Sequence, residues 1–106
     1  MRRVRILEHA AVEAIEAAAW YEHERPGLGK EFDHAVNAAI DLLEDEIVPL
    51  ANLPGAAGAA GVKRLLLKRF PYDIVVRELP EEIIVVAVAH QSRRPGYWQD
   101  RLQKRE

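Results

Sequence analysis

A chain of 106 residues is long enough for one modest hydrophobic core and too short for two, so residues 1–106 are read as a single domain. Its composition, 49% hydrophobic and 30% charged with no apolar run of bilayer length, excludes a protein built on membrane-spanning helices. The absence of cysteine excludes a disulfide framework, a thiolate nucleophile and a thiolate metal site. With no signal-peptide pattern in the first residues, a cytoplasmic home is expected.

The net charge of -2 hides two halves of opposite sign. Residues 1–61 carry five Lys and Arg against eleven Asp and Glu, whereas residues 62–106 carry ten against six. Solvated helix faces account for such an imbalance in many proteins. The alternative is a basic second half that meets an anionic partner, nucleic acid or an acidic protein segment.

In chain order, Arg3 to Leu7 alternates charged and apolar residues, the period of a half-buried edge strand. From about His9 the pattern becomes helical, with Ala11, Val12, Ile15, Ala18 and Ala19 on one arc and Glu13, Glu16 and Glu24 opposite. Trp20 lies nearer the acidic side and is expected to pack against a second helix, the other option being an offer to a partner. Arg25-Pro26-Gly27 should stop the helix. A second helix from near Gly29 places Phe32, Val36, Ala39, Ile40, Leu43 and Ile47 on its apolar stripe and ends at Pro49. The two form an antiparallel hairpin, with Ala17 to Ala19 and Ala38 to Ala39 permitting close approach. The segment to Gly61 reads as a loop; its glycines do not make a phosphate loop, because Gly61-Val62-Lys63 lacks the required Gly-Lys-Ser/Thr.

Three strands follow, Val62 to Phe70, Tyr72 to Leu79 and Ile83 to His90, turning at Pro71 and at Pro80-Glu81-Glu82. The last is apolar at nearly every position, so it should be central, with both faces covered. The hairpin covers one face; the tail, a second copy or a partner covers the other. The tail, Gln91 to Glu106, has room for a short helix after Gly96. The expected fold class is α+β: an N-terminal strand, an antiparallel helix hairpin, a three-stranded antiparallel meander completing a four-stranded sheet, and a short C-terminal tail.

Little chemistry survives the residue inventory. His9, His23, His34 and His90 form no metal-ligand spacing, and Ser92, the one serine, is not in a nucleophile elbow. Neither a metal nor a cofactor is expected. What remains is phosphate chemistry without metal, for which RNA cleavage needs a base, an acid and cations. Arg64, Lys68, Arg69, Arg77, His90, Arg93 and Tyr97 supply those types. Strand alternation, however, puts Arg64 and Lys68 on one face with Phe70, and Arg69 on the other with Leu65 and Leu67.

The order of elements, with AAAWYEHERPGLGKEF at Ala17 to Phe32, VKRLLLKRFPYDIVV at Val62 to Val76 and IIVVAVAHQSRRPGYW at Ile83 to Trp98, resembles the RelE/ParE superfamily of toxins from bacterial type II toxin–antitoxin modules. The resemblance implies a toxin held inactive by a cognate antitoxin, ParD-like or other. RelE-like members cut mRNA on the ribosome, and ParE-like members inhibit DNA gyrase. Some RNase members place Tyr directly after the His that ends the last strand; here Gln91 follows His90. WYE followed by GLGKEF, and the HQSRRP ending, look more like the ParE branch. For that branch Arg93, Arg94, Tyr97, Trp98 and Arg101 are the expected target-binding anchors. Trp20, Arg64, Lys68 and Arg77 are the expected antitoxin contacts. For the nuclease alternative the catalytic set would be Lys68, Arg69, Arg77, His90, Arg93 and Tyr97.

Overall fold

The computed structural model describes residues 3–45, 50–52, 61–94 and 96–102. Its elements are β1 (Arg3–Ile6), α1 (Glu8–Glu24), α2 (Leu28–Asp45), β2 (Ala51–Asn52), β3 (Val62–Leu66), β4 (Tyr72–Glu78), β5 (Glu82–His90) and a 3-10 turn (Gln99–Leu102). The strands form one sheet in the order β1-β5-β4-β3-β2, with β1 parallel to β5 and all other pairs antiparallel. The expected four strands are joined by the two-residue β2, which falls in the segment read as loop. Ile47, Pro49 and residues 53–60 lie outside the described residues.

β5 sits inside the sheet, and Ile83 through Val88 are all buried. Alternation sends its side chains into two cores, and a bulge shifts the alternation midway. Val75 pairs with Ala87 and Val76 with Val85, so Val86 is the extra residue. Ile83, Val85 and Val88 join Phe32, Val36 and Leu43 under the helices. Ile84, Val86 and Ala87 join Leu7, Val62, Val75 and Trp98 on the back of the sheet. Of the three covers considered for that face, the chain uses its own tail.

The hairpin closes at Arg25 to Gly27, as the sequence predicts, with Gly27 at φ +91°. Glu22 in the last turns of α1 accepts hydrogen bonds from the Gly27 and Gly29 amides at 3.0 and 3.1 Å, so its carboxylate caps the positive end of α2. The helices meet so closely at Gly29 that a Cβ there would lie 2.5 Å from the Ala18 carbonyl oxygen.

Two expectations about side-chain direction fail. The buried face of α1 is Ala10, Ala17 and Tyr21, not the Val12–Ile15 arc; Ile15 is 68% exposed. An alanine-rich helix has too little contrast between faces for periodicity to choose one. The close approach to α2 and the ring of Tyr21 choose instead, since Tyr21 packs on Phe32, Phe70 and Tyr72 with centroids 4.9–6.2 Å apart. The first meander strand also ends at Leu66, not Phe70. Alternation stops there, so Phe70 turns under the helices, 5.1 Å from Phe32, instead of sharing a face with Arg64.

Candidate functional site

β5 outruns its parallel neighbour. β1 pairs only as far as Val85, leaving the edge of β5 from Val86 onward without a strand among the described residues. Two side chains take the place of that strand. The Val88 amide donates to Glu13 Oε1 at 3.0 Å, and the Val86 carbonyl accepts from Arg101 Nη1 at 3.1 Å. Glu13 and Arg101 are themselves a bidentate pair, at 2.8 and 3.1 Å, with both side chains only 16% exposed. The Tyr97 hydroxyl donates to the second carboxylate oxygen at 2.5 Å. Burial, then this hydrogen bond, holds the Tyr97 phenol well above its ordinary value. Burial lowers Arg101, but the hydrogen bond to Glu13, the Glu13 charge and the contact with Tyr97 together outweigh it, so the guanidinium is raised above its ordinary value and stays charged.

Three of the expected target-binding anchors take part in fastening the tail: Trp98 is 6% exposed in the back core, and Tyr97 and Arg101 bond to Glu13. Glu13, expected to face solvent, is the residue that receives them; no local pattern links it to an arginine 88 positions away.

Beside the clasp lies a groove of about 560 Å³ between α1 and the upper ends of β4 and β5. Glu13, Glu16, Ala17 and Trp20 form the helix wall. Tyr72, Val88, His90, Ser92, Arg93 and Tyr97 form the other. Trp20 stands on the rim, 57% exposed, touching Tyr21 edge-on; it does not pack against α2 as expected. His90 rests its edge on Tyr72, 5.0 Å between centroids, and its Nδ1 accepts from the Ser92 amide at 3.0 Å with Ser92 Oγ 2.7 Å away. That bond places the proton of the neutral ring on Nε2. The Arg93 guanidinium lies over the Tyr97 ring at 4.0 Å. Burial, followed by the charges of Tyr21 and Glu13, raises the Tyr72 phenol.

Of the residues singled out from the sequence, His90, Arg93 and Tyr97 meet in this groove, and Arg64 and Arg94 join them in a smaller concavity on the back of the sheet. Trp20 lines the groove and Trp98 the concavity, whereas Lys68, Arg69, Arg77 and Arg101 line neither. Lys68 and Arg69 lie in the reversal before β4, where Arg69 pairs with Glu31 of α2 at 2.8 Å. Arg77 pairs with Ile84, five residues down β4 from Tyr72 and its partner His90, about 17 Å at strand spacing. Among the described residues no cluster of three or more His, Asp or Glu could hold a metal ion, and no helix is long and apolar enough to cross a membrane.

No protein-family model matches the chain, and no curated protein matches it. Among solved structures, one similar chain comes from the chromosomal ParDE toxin–antitoxin system of P. aeruginosa. It is 18% identical, with a TM-score of 0.68 over 85% of this chain and 96% of that one. The architecture described above, a parallel first strand, a helix hairpin and an antiparallel meander on one mixed sheet, is therefore the α+β fold found in that ParDE system.

Proposed function

We propose that this chain is the toxin of a type II toxin–antitoxin module, neutralised by a cognate antitoxin, and that it acts in the cytoplasm as a ParE-like inhibitor that binds DNA gyrase. The fold shared with a ParDE system supports the module. The choice of binding over hydrolysis rests on the groove. RNA cleavage without metal needs a base, an acid and several cations around one phosphate. Here the Tyr97 hydroxyl is committed to Glu13, while Arg69 and Arg77 lie away from His90. The groove's helix wall carries the carboxylate of Glu16, which repels a phosphate, and that of Glu13, whose charge Arg101 already answers. The exposed ring of Trp20 and the arginines of the turn after β5, Arg93 and Arg94, are better suited to protein contact.

The test is expression without antitoxin, with two assays on the same cells. Gyrase-dependent DNA breaks with unaltered mRNA 5' ends are expected, and His90→Gln should leave growth arrest intact. New mRNA ends in codon register, lost in His90→Gln, would replace this reading with a RelE-like ribosome-dependent endonuclease.

A further inference from the structure

The smaller concavity, about 110 Å³, opens on the sheet face away from the helices. Trp98, Val75 and Ala89 give it an apolar wall, and Arg64, Arg93 and Arg94 stand around it. At roughly 30 Å³ per water in the liquid, it has room for a group the size of three or four waters. Arg64 extends from β3 at the position paired with Val75. Its Nε is buried and has no hydrogen-bond partner among the described residues. One arm of the guanidinium faces Asp73, but at 3.7 Å this is an ionic contact and not a hydrogen bond. Asp73 is held in turn by Gln91, whose Nε2 donates to Oδ1 at 3.1 Å. Stacking on Tyr97 uses the plane of the Arg93 guanidinium and not its N–H edges. Three arginines against one aspartate leave the concavity with excess positive charge.

The geometry points to a site for a single carboxylate, presented by an acidic side chain of a partner protein and received by the Arg64 fork with Arg93 and Arg94 at the rim. A planar monoanion matches a guanidinium edge, and its methylene carbons suit the wall of Trp98, Val75 and Ala89. A doubly charged phosphate would meet Asp73 in the same small space. The inference rests on the toxin reading only in taking the partner to be the antitoxin. The pocket is tested without it.

The experiment follows arginine Nε–H resonances of the whole chain while sodium acetate is added at constant ionic strength, with inorganic phosphate and chloride as parallel titrations. The resonance that disappears in Arg64→Lys is expected to move saturably with acetate, more weakly with phosphate, and not saturably with chloride. Arg94→Gln, a change at an exposed residue that leaves folding intact, should weaken acetate binding several-fold; Arg69→Gln, on the helix side, should leave it unchanged. A linear drift equal to that in chloride would overturn the site. Tighter, saturable binding of phosphate would overturn the carboxylate assignment in favour of a phosphate group. A chain that binds acetate but does not arrest growth keeps the pocket and loses the toxin reading.

Discussion

Replacing Glu13 with alanine removes the acceptor for four donors at once: the Tyr97 hydroxyl, both terminal nitrogens of Arg101 and the Val88 amide. The largest loss is the unpaired guanidinium. Breaking a buried ion pair from one side costs about 3–5 kcal/mol, and at 16% side-chain exposure some solvent returns, so the low end of that range applies. The orphaned Val88 amide adds about 1 kcal/mol. A total near 3–4 kcal/mol is a large share of the roughly 5–15 kcal/mol that holds a domain of this size. Arg101→Leu should cost less, because Glu13 keeps Tyr97 and Val88 as donors. The double variant Glu13→Ala/Arg101→Leu should be more stable than the two single losses added together predict, since it leaves no buried charge. Urea denaturation of the four proteins gives the coupling directly. Additive losses, or a Glu13→Ala cost below about 1 kcal/mol, would refute the clasp as the fastening of the tail.

The three tyrosines Tyr21, Tyr72 and Tyr97 all have raised phenol pKa values, chiefly through burial. A raised value favours the neutral form in the fold, so the stability it brings is complete below the ordinary phenol value of about 10 and is lost as pH climbs beyond it. The urea midpoint should therefore fall above about pH 10, and less steeply in Tyr97→Phe; an equal slope would remove Tyr97 as a cause. Gly29→Ala should destabilise by about 1–3 kcal/mol through the clash with Ala18, and by more than Gly27→Ala, where only the positive φ is strained and the space is open. Denaturation midpoints compare the two, and the reverse order would count against the tight hairpin. Trp20→Ala should change stability by less than about 1 kcal/mol, yet remove nearly all fluorescence quenching by iodide, because Trp98 is buried; iodide quenching that survives the substitution would place Trp20 wrongly.

What could be read in the sequence was whatever a local pattern encodes. The α2 stripe of Phe32, Val36, Ala39 and Leu43 has strong contrast between its faces, and all four are buried. The apolar run from Ile83 to Val88 announced a strand covered on both sides, and Pro26-Gly27 announced the hairpin turn. Where contrast was low or the pattern ended early, inference failed. α1 is so rich in alanine that its inward face depends on α2, and the strand faces expected for Lys68 and Arg69 do not exist because the strand stops at Leu66, before either of them. The candidate site was the least legible part. Its central carboxylate, Glu13, acquires meaning only when an arginine from the far end of the chain arrives.

That arrival links the fold to the proposed binding role. Because β1 stops opposite Val85, β5 needs acceptors and donors for its remaining edge, and an unpaired edge would attract other strands. Glu13 and Arg101 answer those groups with side chains, so the tail runs past the edge without adding a strand. Beside this clasp and α1 lies the groove beneath Trp20. Tyr97, held against Glu13, then presents its ring to Arg93, which borders the groove on one side and the Arg64 pocket on the other. One carboxylate on α1 thus closes an edge, anchors the tail and positions the arginine shared by both concavities. Loss of Glu13 should therefore weaken partner binding at both, in addition to its cost in stability.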